Sequence, residues 1–355
     1  MARIVAVAPA LPGNVYAQST ITDTIAPMVT SDPTKQAVLR RLHAGSHVDT
    51  RHLVMPIERY RDASTFTQSN DMFIEVAADL AEQALRDALA IAGLEPQDVD
   101  YLMFTSVTGI SAPSIDAIIV ARLGLRSDVK RVPMYGLGCV AGAAGIARVA
   151  DYLAGHSEGV AVLIAVELCS LTFQRNDDST ANLVATGLFG DGCAAVIMVG
   201  DERAKRMPAT GPDVVDTRSA LYPDTESVIG FTASETGFRI ILTAQVSDVI
   251  EANFGRDVTG FLGDNDLGLD DIDTWIAHPG GPRVLEQFQS SLGLADGVFD
   301  NSWRSLAAVG NLSSVSVLHI LAEELVRAHP PGSHGALFAL GPGVSAELVL
   351  LRWPS

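Results

Sequence analysis

DVDYLMFT, residues 98–105, is an acidic turn feeding a short apolar strand, and the same pattern returns as DIDTWIAH at residues 271–278. Two further landmarks recur in the same order. Cys139 follows Thr105 by 34 residues and opens a run of small residues, VAGAAGIARVADYLAG; Asn311 follows His278 by 33 residues and opens LSSVSVLHILAEELVRA. Both runs read as helices, with Gly138 or Gly310 just before them. GDGCAAVIMV at 190–199 is then echoed by GPGVSAELVL at 341–350, each a glycine turn opening an apolar strand. Three matches in one order, with two nearly equal spacings, identify an internal duplication.

Strands and helices alternate between these landmarks. Residues 71–92 carry Phe73, Val76, Leu80 and Ala84 at helical spacing, with Gly93 as the stop. Further helices are expected at 114–123 and 140–154, and strands at 101–106 and 159–167. The alternation predicts α/β layers with a mostly parallel sheet. Two such halves packed face to face place helices between two sheets. The helix after Cys139 suits that middle layer, because Ala and Gly let both neighbours approach closely. The polar segment DERAKRMPATGPD, broken by Pro and Gly, divides the halves into residues 1–205 and 206–355.

The chain has 355 residues, is 48% hydrophobic and 19% charged, and carries a formal net charge of -18. An acidic surface cannot displace the counterions of nucleic acid, and it disfavours anionic lipid. No apolar run is long enough for a transmembrane helix. The opening MARIVAVAPALPGN reads as a first strand rather than a signal peptide. Cys139, Cys169 and Cys193 contain no CxxC and are too few for a disulfide framework. No His, Cys and Asp spacing matches a metal site, and GDG and GPG lack the Lys of a P-loop. A reduced, cytoplasmic enzyme is expected.

The duplication has a chemical consequence. Pseudo-twofold symmetry brings the N-termini of the two buried helices together, so Cys139 and Asn311 converge. His278 ends a strand, where α/β sheets expose their sites. A helix N-terminus and an adjacent imidazolium both favour the thiolate, which is the nucleophile. A thiolate suits a thioester substrate, since exchange between sulfurs is nearly thermoneutral. His278 and the Asn311 amide could both donate to an oxyanion, which fits an enolate formed by decarboxylation. Cys193 reads as a small apolar packer. Cys169 does too on its own. His43, His47 and His52 read as surface or structural.

GLGCVAGAAG, VELCSLTF, LFGDGCAA, IAHPGGP, GNLSS and ALGPG together resemble the type III polyketide synthases, the chalcone synthase superfamily, over essentially the whole chain. The segments RRLHAGSHVDTRHLV and RVPMYGLGCVAGAAG resemble actinobacterial synthases of alkylpyrones and alkylresorcinols. The resemblance implies the thiolase fold, with duplicated βαβαβ halves in a five-layered αβαβα sandwich. It implies that Cys139 holds the starter and the growing chain, and that His278 and Asn311 bind the malonyl thioester and stabilise its enolate. Phe189 matches the gatekeeper aromatic between cavity and coenzyme A tunnel, and Phe238 the second gatekeeper. Thr108, Cys169, Thr172 and Ser313 fall at cavity-lining positions. Ala112 stands where plant enzymes carry a Met that reaches across a dimer. Gly341, Pro342 and Gly343 form the cyclisation loop. Arg40, Arg41 and Arg283 fall near the coenzyme A path. The expected substrates are acyl-CoA and malonyl-CoA, the expected assembly is a homodimer, and no cofactor is implied.

Small groups at Ala112 and Cys169 favour a medium or long aliphatic starter and an alkylpyrone or alkylresorcinol product. Three alternatives stay open: a malonyl or aromatic starter, a ketosynthase III of fatty-acid synthesis, and an inactive scaffold of the same fold.

Overall fold

The computed structural model describes residues 1–61, 65–208 and 211–354; residues 209 and 210 of the expected divider lie outside them. The chain opens with β1 (Ala2–Ala10). A peripheral group follows: β2 (Asn14–Ala17), α1 (Gln18–Val29), α2 (Pro33–Ala44) and β3 (Thr50–Leu53). The first half continues through α3 (Phe66–Ala92), β4 (Tyr101–Thr105), α4 (Ile115–Leu123), β5 (Lys130–Met134), α5 (Ala141–Ala154), β6 (Val160–Leu168), α6 (Thr180–Leu188) and β7 (Asp191–Gly200). The one-turn α7 (Asp201–Ala204) leads out of it. The second half runs β8 (Asp213–Leu221), the hairpin β9 (Ile229–Ser234) and β10 (Gly237–Leu242), α8 (Gln245–Gly263), β11 (Ile272–Ala277), α9 (Pro282–Leu292), α10 (Asp300–Val309), α11 (Ser316–Leu325), β12 (His334–Gly341) and β13 (Ser345–Arg352).

The duplicated landmarks fall on equivalent elements. β4 and β11 each lie parallel to the strand beside them, β6 and β12. α5 and α11 each follow a 3-10 turn, Gly138–Val140 and Ser313–Val315. Three apolar clusters separate five layers. α3 packs with Phe73, Leu80 and Leu85 on one face of the first half's strands. α5 and α11 fill the middle through Ile146, Val149, Leu318 and Leu321. α8 and α9 cover the far face with Phe254, Phe261 and Phe288.

Two expectations change. The strands of the two halves' cores form one nine-stranded sheet, ordered β11-β12-β13-β8-β1-β7-β6-β4-β5, rather than two separate ones, while β2 with β3 and β9 with β10 form two-stranded pairs apart from it. The halves join edge to edge through two residue pairs, Ala2 with Val214 and Arg3 with Asp213. The sheet is also mixed, with three parallel and five antiparallel pairings. The glycine turn at 341–343 explains part of this. It reverses the chain within three residues, so β12 and β13 form an antiparallel hairpin.

α3 begins earlier than its apolar spacing indicated, because Thr65 and Gln68 form a capping box at Phe66. It ends at Gly93, whose φ of 65° is left-handed. No helix among the described residues is long and apolar enough to cross a membrane.

The small residues of α5 are required by contact. A Cβ at Gly142 would lie 2.1 Å from the Ser314 carbonyl oxygen, and one at Gly145 would lie 2.6 Å from Leu163 Cδ1. Backbone cannot yield as a side-chain tip does. Gly142→Ala is therefore expected to lower the unfolding free energy by roughly 2–4 kcal/mol, read by urea denaturation.

Candidate active site

Cys139 sits in the 3-10 turn that starts α5. That turn is clamped by the opposite glycine loop: Gly138 has φ 54°, and a Cβ there would lie 2.6 Å from Pro342. Asn311 follows Gly310, whose φ is 75° and where a Cβ would lie 2.8 Å from the Leu188 carbonyl. The close approach lets Asn311 N donate to Leu188 O at 2.9 Å and Gly190 N donate to Asn311 O at 3.0 Å. Phe189 and Asn311 are thereby bridged. His278 follows β11, with its N donating to Phe338 O at 3.0 Å.

A run of contacts joins the three residues. Cys139 Sγ lies 3.4 Å from Ser313 Oγ. Ser313 N donates to Asn311 Oδ1 at 2.8 Å, and Ser316 Oγ donates to the same oxygen at 3.4 Å. Those donors fix the orientation of the amide. Asn311 Nδ2 then makes only a long contact, 3.5 Å to Gly280 O. Gly280 belongs to the turn after His278. Asn311 is 1% exposed and His278 2%, and His278 Nδ1 has no partner among the described residues. The site thus holds a thiol, a largely free amide donor and an unengaged imidazole nitrogen.

A cavity opens at Cys139. Thr108, Cys169, Thr172, Phe189, Phe238, Ser313 and Pro342 line it. His278 and Asn311 are buried beside it rather than among its wall residues. The wall also includes Ile229, Phe231 and Ile240 from the β9–β10 hairpin, which the sequence did not indicate. A second, inner compartment shares Cys169, Thr172, Phe189, Phe238 and Ile240 with the first. Cys169 is therefore a wall residue of both spaces. Cys193 is fully buried.

Ala112 lies on the exposed loop between β4 and α4 and does not line the cavity of its own chain. Arg41 and Arg283 are exposed, on α2 and in the first turn of α9. Arg40 is exposed too, but it is paired with Asp23. Among the expected structural histidines, His43 is buried between the hydroxyls of Thr22 and Thr186.

Burial works against the charged pair expected at Cys139 and His278. It pushes the thiol up to about 12, partly opposed by the Ser313 hydroxyl, and the imidazole down to about 3. The resting site therefore favours the neutral forms of both.

Glu167, unremarked in the sequence, lies fully buried at the end of β6. Its Oε1 accepts from Ser314 Oγ at 2.6 Å and its Oε2 from Val107 N at 3.2 Å. Burial raises its pKa to about 7, against those donors. A single acid inside the nine-residue apolar strand VAVLIAVEL was the available signal. A raised carboxyl contributes stability that is fully present below its unfolded value of 4.5 and is lost as pH rises through about 7. Glu167→Gln keeps an acceptor without the charge. The variant should be stabilised relative to the parent at pH 8 by on the order of 2 kcal/mol more than at pH 4, read by thermal melts.

The chain matches the family model for chalcone and stilbene synthases in both parts, the N-terminal domain over residues 1–202 and the C-terminal domain over residues 213–354. It is 51% identical over 351 residues to the 1,3,6,8-tetrahydroxynaphthalene synthase of Streptomyces peucetius subsp. caesius, covering 99% of this chain and 93% of that one. It is 31% identical to the alpha-pyrone synthesis polyketide synthase-like Pks18 of Mycobacterium tuberculosis, covering 99% and 91%. Among solved structures, the tetrahydroxynaphthalene synthase of Streptomyces coelicolor A3(2), a bacterial type III polyketide synthase, superposes with a TM-score of 0.92 at 29% identity and 99% coverage of both chains. With its Cys139 turn, its five layers and both family domains in place, the chain belongs to the chalcone and stilbene synthase family of type III polyketide synthases.

Proposed function

We propose that this polyketide synthase builds its product from malonyl-CoA units alone, starter included, and closes the chain to a polyhydroxylated aromatic of the tetrahydroxynaphthalene kind. The observation that carries the reading is the 51% identity to a tetrahydroxynaphthalene synthase along 99% of this chain. A long aliphatic starter leading to an alkylpyrone is the second reading. It is favoured by the Pks18 relative, whose name carries alpha-pyrone synthesis.

Three steps follow. Cys139 Sγ attacks the thioester carbonyl of the starter, its proton passes to the neutral His278 ring, and coenzyme A leaves as its thiol after taking up a proton. Malonyl-CoA then docks with its thioester oxygen toward Asn311 Nδ2 and His278. Loss of CO2 leaves an enolate whose oxygen those donors stabilise. The enolate carbon attacks the Cys139 thioester, and the Cys139 thiolate is expelled, to be reloaded with the lengthened chain. Folding of the chain under the Pro342 turn precedes ring closure.

Coenzyme A carries several negative charges and approaches a chain of net charge -18. Arg41 and Arg283, both exposed, are the cations proposed to receive it. Alanine at either is expected to raise KM for malonyl-CoA about threefold to tenfold with kcat little changed. A homodimer belongs to the proposal, since edge strand β5 and its surroundings leave Val132, Ile110 and Tyr135 exposed.

Product mass spectra across an acyl-CoA series with malonyl-CoA test the reading. Malonyl-CoA alone should give the aromatic pentaketide. An enzyme silent with malonyl-CoA alone, yet active with long-chain acyl-CoA, would establish the second reading instead.

A further inference from the structure

The inner compartment contains a buried cation with a hydrogen bond to spare. Arg51, on β3, is 3% exposed and lines this space. Its Nε donates to Gln18 Oε1 at 3.0 Å, and its Nη1 donates to the carbonyl oxygen of Phe189 at 2.8 Å. Its Nη2 is buried and has no partner. Asp191 is the main carboxylate acting on it, but Asp191 is already occupied. It accepts from Ser170 N at 2.7 Å, from Ser170 Oγ, and from Val54 N at 2.9 Å. Asp191 forms no ion pair with Arg51 among the described residues. A buried guanidinium N–H left unpaired is unfavourable, and a charged donor in a desolvated space is well suited to an anionic oxygen.

The surroundings fit such a guest. Tyr60, Gln174 and Asn182 are hydrogen-bonded within the protein and share the wall with apolar Leu53, Ile57 and Phe173, which leaves Arg51 Nη2 as the unpartnered donor among them. The compartment meets the Cys139 cavity at Phe189, the residue whose carbonyl Arg51 holds. A chain growing on Cys139 that passes Phe189 would enter this space. A chain of malonyl units ends in oxygen, whereas an alkyl starter ends in carbon and offers Arg51 nothing.

We infer that the inner compartment receives the oxygen-bearing distal end of the Cys139-bound chain, and that Arg51 Nη2 donates to its terminal carboxylate or enolate oxygen. Arg51 is then a specificity-determining residue that selects malonyl-derived chains over alkyl-ended ones. The inference rests on the malonyl-starter reading above.

The test uses matched starters: carboxylate-ended acyl-CoAs from glutaryl to suberoyl, and isosteres in which a branched methyl pair replaces the carboxylate oxygens. The measured quantity is the ratio of kcat/KM for extension within each pair. The intact enzyme should favour the carboxylate end by about tenfold or more at the length that reaches Arg51. Arg51→Met should bring that ratio to about one or invert it. A purely structural role would lower both rates and leave the ratio unchanged. Should Arg51→Met fail to fold, Arg51→Lys, which keeps the charge but loses the fork, should reduce the ratio by a smaller factor. An intact enzyme that prefers the branched ends at every length, or a folded variant with an unchanged ratio, overturns the inference. Failure of the malonyl-starter reading shows differently, as absence of any polyketide from malonyl-CoA alone.

Discussion

Cys139→Ala is expected to abolish polyketide formation, by at least about 10⁴-fold, while malonyl-CoA decarboxylation continues within about tenfold of the parent rate. The two activities separate because they use different atoms. Chain transfer needs a sulfur that can be acylated and released, and Cys139 is the thiol at the start of α5 that opens on the cavity. Decarboxylation needs only donors for the enolate oxygen. Those donors are held from the other half of the molecule, so loss of the thiol leaves them in place. The Cys139 side chain touches Ser313 Oγ at 3.4 Å, and its truncation removes that one contact without opening a backbone hydrogen bond. Coenzyme A release and CO2 release, measured in parallel, check the separation. Loss of both activities together would assign Cys139 a role in the decarboxylation step.

Asn311→Asp should show the converse. Asp keeps the oxygen that accepts from Ser313 N and Ser316 Oγ, so the turn before α11 is preserved. It replaces the free Nδ2 donor with an oxygen that repels the enolate. Decarboxylation should fall by about 10²- to 10³-fold, the usual loss for one oxyanion donor. Loading of Cys139 by an acyl-CoA should persist. Isothermal release of CO2 and acylation followed by mass provide the two readouts. Undiminished decarboxylation in the folded variant would remove Asn311 from the enolate site.

Much of this site was legible before the fold was known, and the reason lies in the duplication. Each landmark has a counterpart, so a pattern weak on its own, such as DIDTWIAH, gains weight from DVDYLMFT at the equivalent place. The pairing of helix starts brought Cys139 and Asn311 together, and Ser313 links them in the structure. The mixed sheet was not legible. Alternation of strands and helices suggests parallel neighbours, but the direction of β1 against β7 and of β8 against β13 is set by contacts between distant segments.

The walls of the cavity followed the same division. Phe189 and Thr172 lie in motifs, whereas Ile229 and Phe231 come from a hairpin whose packing over Cys139 no spacing encodes. Ala112 lies outside the cavity of its own chain, as a position that reaches across a dimer would. Arg51 meets Phe189 across 138 residues of sequence, and its unpaired nitrogen appears only once that contact is made. The protonation of Cys139 depends on packing in the same way. Helix position can be read from residue order, but the desolvation that pushes the thiol up depends on the fully packed site.

Cys139 is proposed to carry a chain assembled from malonyl units. The most direct measurement is intact-protein and peptide mass spectrometry after brief incubation with malonyl-CoA as sole substrate. A ladder of adducts separated by one two-carbon ketide unit, all on the peptide containing Cys139 and absent from Cys139→Ala, is the predicted result. Aromatic product formed without any adduct on that peptide, or adducts that persist in Cys139→Ala, would contradict it.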